Sequence, residues 1–524
     1  MSGTTSISGL VSGLDTTTII SQLMQIESQQ QTQLKTRVTS QQTTLSALQS
    51  LNTKMAAIAT AAQSLSSADT WNAHTTTTSS TQVSATATAA VQPGAYSFTV
   101  LQTATAQSLT FAQSAATTDV VLPAGSTTVT LTDSSGNPTT LDTGDGTLGG
   151  LISAINGSSA GLRASTVKLD DGTYRLSVTA KATGAASAFT LTASDGSAIL
   201  GGASVAAGQD AAVTIGADTV HSSTNTFSGV LTGLSFTVAA GTAANTAVTV
   251  NVTNDVSKVS SSVKSLIDQV NAVLTEIGAD TAYDTSTSTG GPLVGSSTAR
   301  NLRDQLLSTV TAGVGGKSLA DVGIGVDRSG AVTFDQSAFE TAFTADPSKT
   351  ASYFVTSGTW SGTGSASYVA STWRSLPGSY QLDATTTGGV TTGTLDGTAV
   401  TGSNGILTGP GGSSVDGLTL ATNGSVSGTF TLTSGFAGML ARTAQLASDS
   451  VQGSLTSSIS STNDSIKTLN DSIAAWDVRL QAKQDSLQAQ YAALETTLGQ
   501  LQSQSAWLSS QISSLSANSS ASKP

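Results

Sequence analysis

The sequence predicts an α+β multidomain protein in which terminal helices form a coiled-coil leg and β-rich domains form a head. Three observations carry this prediction. Near the C-terminus Ile459, Ile466, Ile473, Leu480, Leu487, Leu494, Leu501, Leu508 and Leu515 recur at every seventh position, the period of a coiled-coil seam. A second helical pattern runs over residues 14–65, with apolar positions mostly three, four or seven apart. Between the two lie short alternating runs such as YSFTVLQ, TTVTLT, YRLSVTA and AVTVNV, separated by Gly, Asp, Asn and Pro, which is the pattern of half-buried strands and turns.

Composition narrows the function. Of the 524 residues 10% are charged and 4% aromatic, so large side chains are too few to fill a deep core and thin or elongated domains are expected. The net charge of −12 comes without any cluster of Lys and Arg. That argues against a nucleic-acid binder, which needs clustered cations to neutralise phosphates, and against an anionic membrane surface. No run approaches the roughly 20 apolar residues of a membrane span. Cysteine is absent, which removes disulfide and thiolate chemistry and leaves the compartment open. The opening stretch ISGLVSGLDTTTIISQLMQIESQQ has no Lys or Arg before Lys35 and is punctuated by glycine, so it does not read as a cleaved secretory signal.

Residues 1–74 are read as an N-terminal helical leg. Asp15 is placed to cap its helix, and Gly9 and Gly13 disfavour helix before it. Ile20, Leu23, Leu34, Val38, Leu45 and Leu48 form the face expected to meet a partner, continued by Leu51, Met55, Ile58 and Leu65. Residues 75–254 read as a β-rich head. Residues 255–356 combine helices over 256–278 and 297–310 with the hairpin VGIGVDRSGAVTFD, turning at Arg328, Ser329 and Gly330. Residues 357–434 are read as an inserted, folded β module, because PGSYQLDA echoes the earlier PGAYSFTV. Residues 435–524 are the C-terminal coiled-coil leg, whose heptads span about 85 Å at 1.5 Å per residue. A second apolar row, Leu469 and Trp476 and then Tyr491, Leu498 and Ile512, shifts around Lys483. Looser packing or a change of partner is expected there. Such a seam must be covered, and the N-terminal helix is the available match.

Nothing in the sequence assembles a catalytic, cofactor or metal site. GDGTLG at 144–149 matches a dinucleotide fingerprint in form, but the polar NPTTLDT before it is no buried parallel strand. GVGGKS at 313–318 has Thr311 where a phosphate loop places its first glycine. The two histidines, His74 and His221, lie apart in Ser/Thr-rich stretches, and Asp170 with Asp171 reads as a turn. An enzyme is not expected, and no cofactor is called for.

Four blocks in order resemble the bacterial flagellar filament-capping family, also called hook-associated protein 2. They are ISGLVSGLDTTTIISQLMQIE running to PGAYSFTVLQTATAQSL, then TLGGLISAINGSSAGLRASTVKLDDGTYRLSVTA, then GQDAAVTIGADTV through VTVNVTNDVSKV, then GPLVGSSTARNLRDQL with LADVGIGVDRSGAVTFD, DPSKTASYF and the terminal coiled coil. Residues of about 121–204 are similar to the flagellin hook IN motif. The 357–434 insert departs from the compact family pattern. The resemblance implies a homo-oligomeric ring, often a pentamer, at the tip of the growing filament, without an active site. It also implies flagellin, hook–filament junction proteins and an export chaperone as partners. Export through the flagellum's own type III channel, with no cleaved signal peptide, would place the protein outside the cell. The alternatives are a flagellin-type filament subunit and a surface adhesin built on the β modules.

Overall fold

The computed structural model describes residues 15–520, with side chains to residue 514; the expected Gly9–Gly13 break lies outside the described residues. The chain divides into two compact units, one of residues 68–261 and one built from the flanking segments.

In the flanking unit, α1 (Thr16–Glu27) starts where Asp15 Oδ1 accepts from the Thr18 amide at 3.0 Å, which satisfies one of the first-turn donors. A single break at Ser28, whose hydroxyl donates to the Gln25 carbonyl, separates α1 from α2 (Gln29–Ser66). Later in this unit come α3 (Val256–Thr281, in this unit from Ser262), α4 (Ser297–Thr311), two short helices at Gln336–Ala345 and Pro347–Ala351, and then α5 (Phe436–Ser448) and α6 (Ser454–Ser520). At 67 residues α6 is about 100 Å long. Gly453 precedes it so tightly that a Cβ would sit 2.5 Å from the Asp449 carbonyl. α2 packs on both α5 and α6. Its Leu51, Met55, Ile58 and Ala62 are fully buried, as are Leu440 and Ala444 of α5. The expected hairpin is present, Ile324–Val326 against Val332–Phe334, with Gly330 at φ 84° and the Asp327 carboxylate accepting the Ser329 and Ala331 amides.

The 357–434 segment forms a six-stranded antiparallel sheet that closes on itself. One long strand, Thr419–Thr433, carries Ser357–Ala370 along one side. Its other side is shared by Gly378–Thr387 and Ile406–Thr408. That double pairing curls the sheet around Leu382, Leu395, Leu407, Leu420 and Phe430.

The 68–261 unit holds two cores. A five-stranded sheet, in the order His74–Thr78, Thr246–Asn254, Gly94–Gln102, Ala211–Ile215 and Asp218–Ser222, faces a three-stranded one around Phe98, Phe227 and Phe236. The Phe98 and Phe236 rings stack at 4.1 Å between centroids. The second core lies between a four-stranded sheet, a three-stranded sheet and the short helix Leu148–Gly157, whose Leu148, Leu151 and Ile155 are fully buried.

Candidate partner interface along the terminal helices

The two ends of the chain run antiparallel. Lys483 Nζ lies 3.5 Å from Glu27 Oε1, and the Gln31 carboxamide donates to Asp477. Further along, Arg37, Ser40 and Gln41 face Asp464, Ser465 and Thr468 across a recess of about 500 Å³. The ion pair is half exposed at both partners and holds little energy by itself. Its position matters more: it marks the end of α1 and the Ser28 break. Here α6 passes from α2 to α1, at the residue where its second apolar row shifts.

The predicted face is not uniform. Leu48 is buried at 3% exposure and Ile20 at 9%. Leu34, Val38 and Leu45 are half-buried, as are Ile459, Ile466, Ile473, Leu480 and Leu487 on α6. Leu23 is 39% exposed, and Leu494, Leu501 and Leu508 are 45%, 55% and 52% exposed. Continued in the same antiparallel register, Thr16 falls opposite Leu494. Trp507, also at 63%, adds to this open apolar stretch. The side chain of Leu515 lies outside the described residues.

Sequence reasoning missed Gln31, a polar residue only 6% exposed in the seam; its place in an apolar spacing, three before Leu34, was the available signal. It also missed α5, whose contact face is largely alanine (Ala437, Ala441, Ala444 and Ala447). The glycine-rich stretches hold no ligand cradle. At 144–149 the Gly144 and Thr147 amides already donate to Asp142 and Asp145. At 313–318 a tight turn bridges Val314 and Lys317. His74 Nδ1 lies 3.1 Å from the Thr88 carbonyl oxygen, and His221 is exposed. Among the described residues no group of His, Asp and Glu is arranged to hold a metal, and no helix is long and apolar enough to cross a membrane.

Antiparallel terminal helices with β-rich modules between them in sequence define a structural protein. The family models for the N-terminus and C-terminus of flagellar hook-associated protein 2 match residues 12–107 and 208–503. Flagellar hook-associated protein 2 of Escherichia coli K12 is 30% identical over 374 residues, covering 67% of this chain and 80% of the relative. The lateral flagellar hook-associated protein 2 of Vibrio parahaemolyticus is 28% identical over 39% of this chain and 49% of its own. The crystal structure of the D1–D2–D3 domains of the Escherichia coli flagellar cap protein FliD is 30% identical, with a TM-score of 0.49, over 59% of this chain and 90% of that one. The chain belongs to the flagellar hook-associated protein 2 family. That family is structural and not enzymatic, and the flagellin-type and adhesin readings find no support in these matches.

Proposed function

We propose that this protein caps the distal end of a bacterial flagellar filament and promotes the incorporation of flagellin there. The observation that carries this reading is the match of both chain ends to the hook-associated protein 2 family. In this reading the protein acts as a homo-oligomeric ring, a pentamer, outside the cell, reaching the tip through the flagellar type III channel with an export chaperone and without a cleaved signal. Residues 1–74, 255–356 and 435–524 serve as the leg, and residues 75–254 with the 357–434 module as the head. The half-open leucines of α6 support the leg as the contact with flagellin and hook–filament junction proteins, because they hold apolar surface ready for a partner.

A cap has to grip the tip and still step as subunits enter beneath it. Seams of Leu and Ile diluted by Ser, Thr and Gln suit this, since each contact buries little apolar area. The test removes the protein from its cell. Cells lacking it should release unassembled flagellin and carry no filaments, and added purified protein should restore growth. Normal filaments in its absence would overturn the proposal.

A further inference from the structure

In the second core of the 68–261 unit, the four-stranded and three-stranded sheets leave an apolar groove of about 420 Å³ between them. All five residues 188–192 line it. Successive side chains of a strand point to opposite faces, so a groove touching all five runs along the edge of the strand Phe189–Ala193. That strand is bonded on one side only, to Thr128–Asp133. The Phe189 carbonyl accepts from Gln107 Nε2, and the Ala193 amide donates to the Ser197 carbonyl at 3.0 Å. The backbone groups of 189 and 193 therefore point away from the paired strand. By the two-residue alternation of an antiparallel ladder, the Leu191 N–H and C=O point the same way, into the groove. The facing wall comes from the four-stranded sheet, where Ala203 pairs with Phe111 and Val205 with Leu109. Val205 is 59% exposed.

We infer that this groove binds an extended segment of a different protein, added as a fourth strand beside Phe189–Ala193. The free N–H and C=O of Leu191 call for a backbone with strand spacing, and the wall of Ala203 and Val205 calls for apolar side chains at alternate positions. Asp133 is the one charged residue in the lining. Its carboxylate is engaged by the Ser135 and Asn137 amides, so it stays anionic and matches a basic residue at the end of the segment. On a chain of net charge −12 that rim favours a basic-ended partner over a second copy.

The probe is a capped peptide of alternating Val and Thr with a terminal Lys, added to the full-length chain. Hydrogen exchange of the Leu191 amide should slow by about tenfold or more at saturation. Two versions N-methylated on alternate residues should behave differently: the one blocked on its bonding edge should bind about tenfold more weakly, and the other normally. Val205→Lys should weaken binding by a similar factor while thermal unfolding stays unchanged. Equal binding of both methylated peptides would mean an apolar slot only and overturn the inference. So would failure of the parent peptide to bind, or self-association of the chain that Val205→Lys abolishes, which would make a second copy the occupant.

Discussion

Replacing Leu501 and Leu508 together by alanine separates partner binding from folding along α6. These leucines keep 55% and 52% of their surface exposed. Full burial of a leucine side chain is worth about 1.5–3 kcal/mol, so covering the open half of each gains about 1 kcal/mol, or roughly 2 kcal/mol for the pair. For a partner lying over both positions, that is a roughly 30-fold weaker dissociation constant. The same truncation at Leu51, which is 0% exposed, removes core packing instead and costs about 2–5 kcal/mol of folding stability. Alanine is a strong helix former, so α6 itself is not weakened. The assay pairs urea unfolding of the full-length chain with restoration of filament growth by added protein. The double variant should unfold within about 0.5 kcal/mol of the parent and need roughly 30-fold more protein for the same growth. Leu51→Ala should show the reverse priority, with unfolding shifted first. A double variant that destabilises the chain as much as Leu51→Ala would refute the reasoning. So would one that restores growth at the parent concentration.

Three further predictions rest on single groups. Burial, followed by the nearby Glu276 carboxylate, raises the pKa of Asp280. A raised carboxyl costs stability as pH rises through its folded value, and no such cost exists below its unfolded value. Asp280→Asn should therefore raise the urea midpoint near pH 7 and not near pH 3; a lower midpoint near pH 7 would count against it. Hydrogen bonds from the Ser286 and Thr287 hydroxyls hold Asp284 at about 2, below its ordinary 3.8. Its stabilising effect is present above the ordinary value and lost as pH falls through about 2. Carbon NMR titration should place the Asp284 midpoint near 2 and move it upward in Ser286→Ala, whereas an unmoved midpoint would contradict the assignment. At Gly358 a Cβ would lie 2.0 Å from the Phe430 ring, a side chain with 0% exposure. Gly358→Ala should destabilise the 357–434 sheet by about 1–3 kcal/mol, seen as faster proteolysis within it; unchanged proteolysis would show that the ring yields freely.

Local features were legible in the sequence where one physical rule decides them. The heptad leucines, the Asp15 cap and the Asp327–Gly330 turn each depend on a few neighbouring residues. What escaped depends on distant partners. The α2–α5 contact draws on buried alanines, Ala59 and Ala62 on α2 and Ala441 and Ala444 on α5, and small residues give no hydrophobic period to read. Closure of the 357–434 sheet needs Ile406–Thr408 to find Thr419–Ala421, a pairing no local propensity encodes. The free edge at Leu191 was hidden for the same reason, since FTLTA reads alike in a central or an edge strand. The burial of Gln31 likewise depends on a distant partner, Asp477, 446 positions away.

The heptad row itself shows how one sequence pattern takes two physical fates. From Ile459 to Leu487 it is half-covered by the chain's own N-terminal helices, while at Leu494, Leu501 and Leu508 it is open. The spacing does not change between these stretches, so the difference does not arise from the heptad pattern of α6 itself. Even the covered part is thinly sealed, with a recess of about 500 Å³ beside Arg37 and Asp464 and a half-exposed ion pair at Glu27. A close-packed seam would resist rearrangement, because well-filled interiors transmit strain and tolerate little displacement. A thin one would let the N-terminal helices and the proposed partner compete for the same leucines at small cost. That competition gives a direct expectation: Leu480→Ala and Leu487→Ala should loosen α1 from α6, raising hydrogen exchange in Thr16–Glu27 before it rises in the α2–α5 core. Exchange that rises in both together would mean that the seam and the bundle open as one unit, and that α1 cannot yield independently.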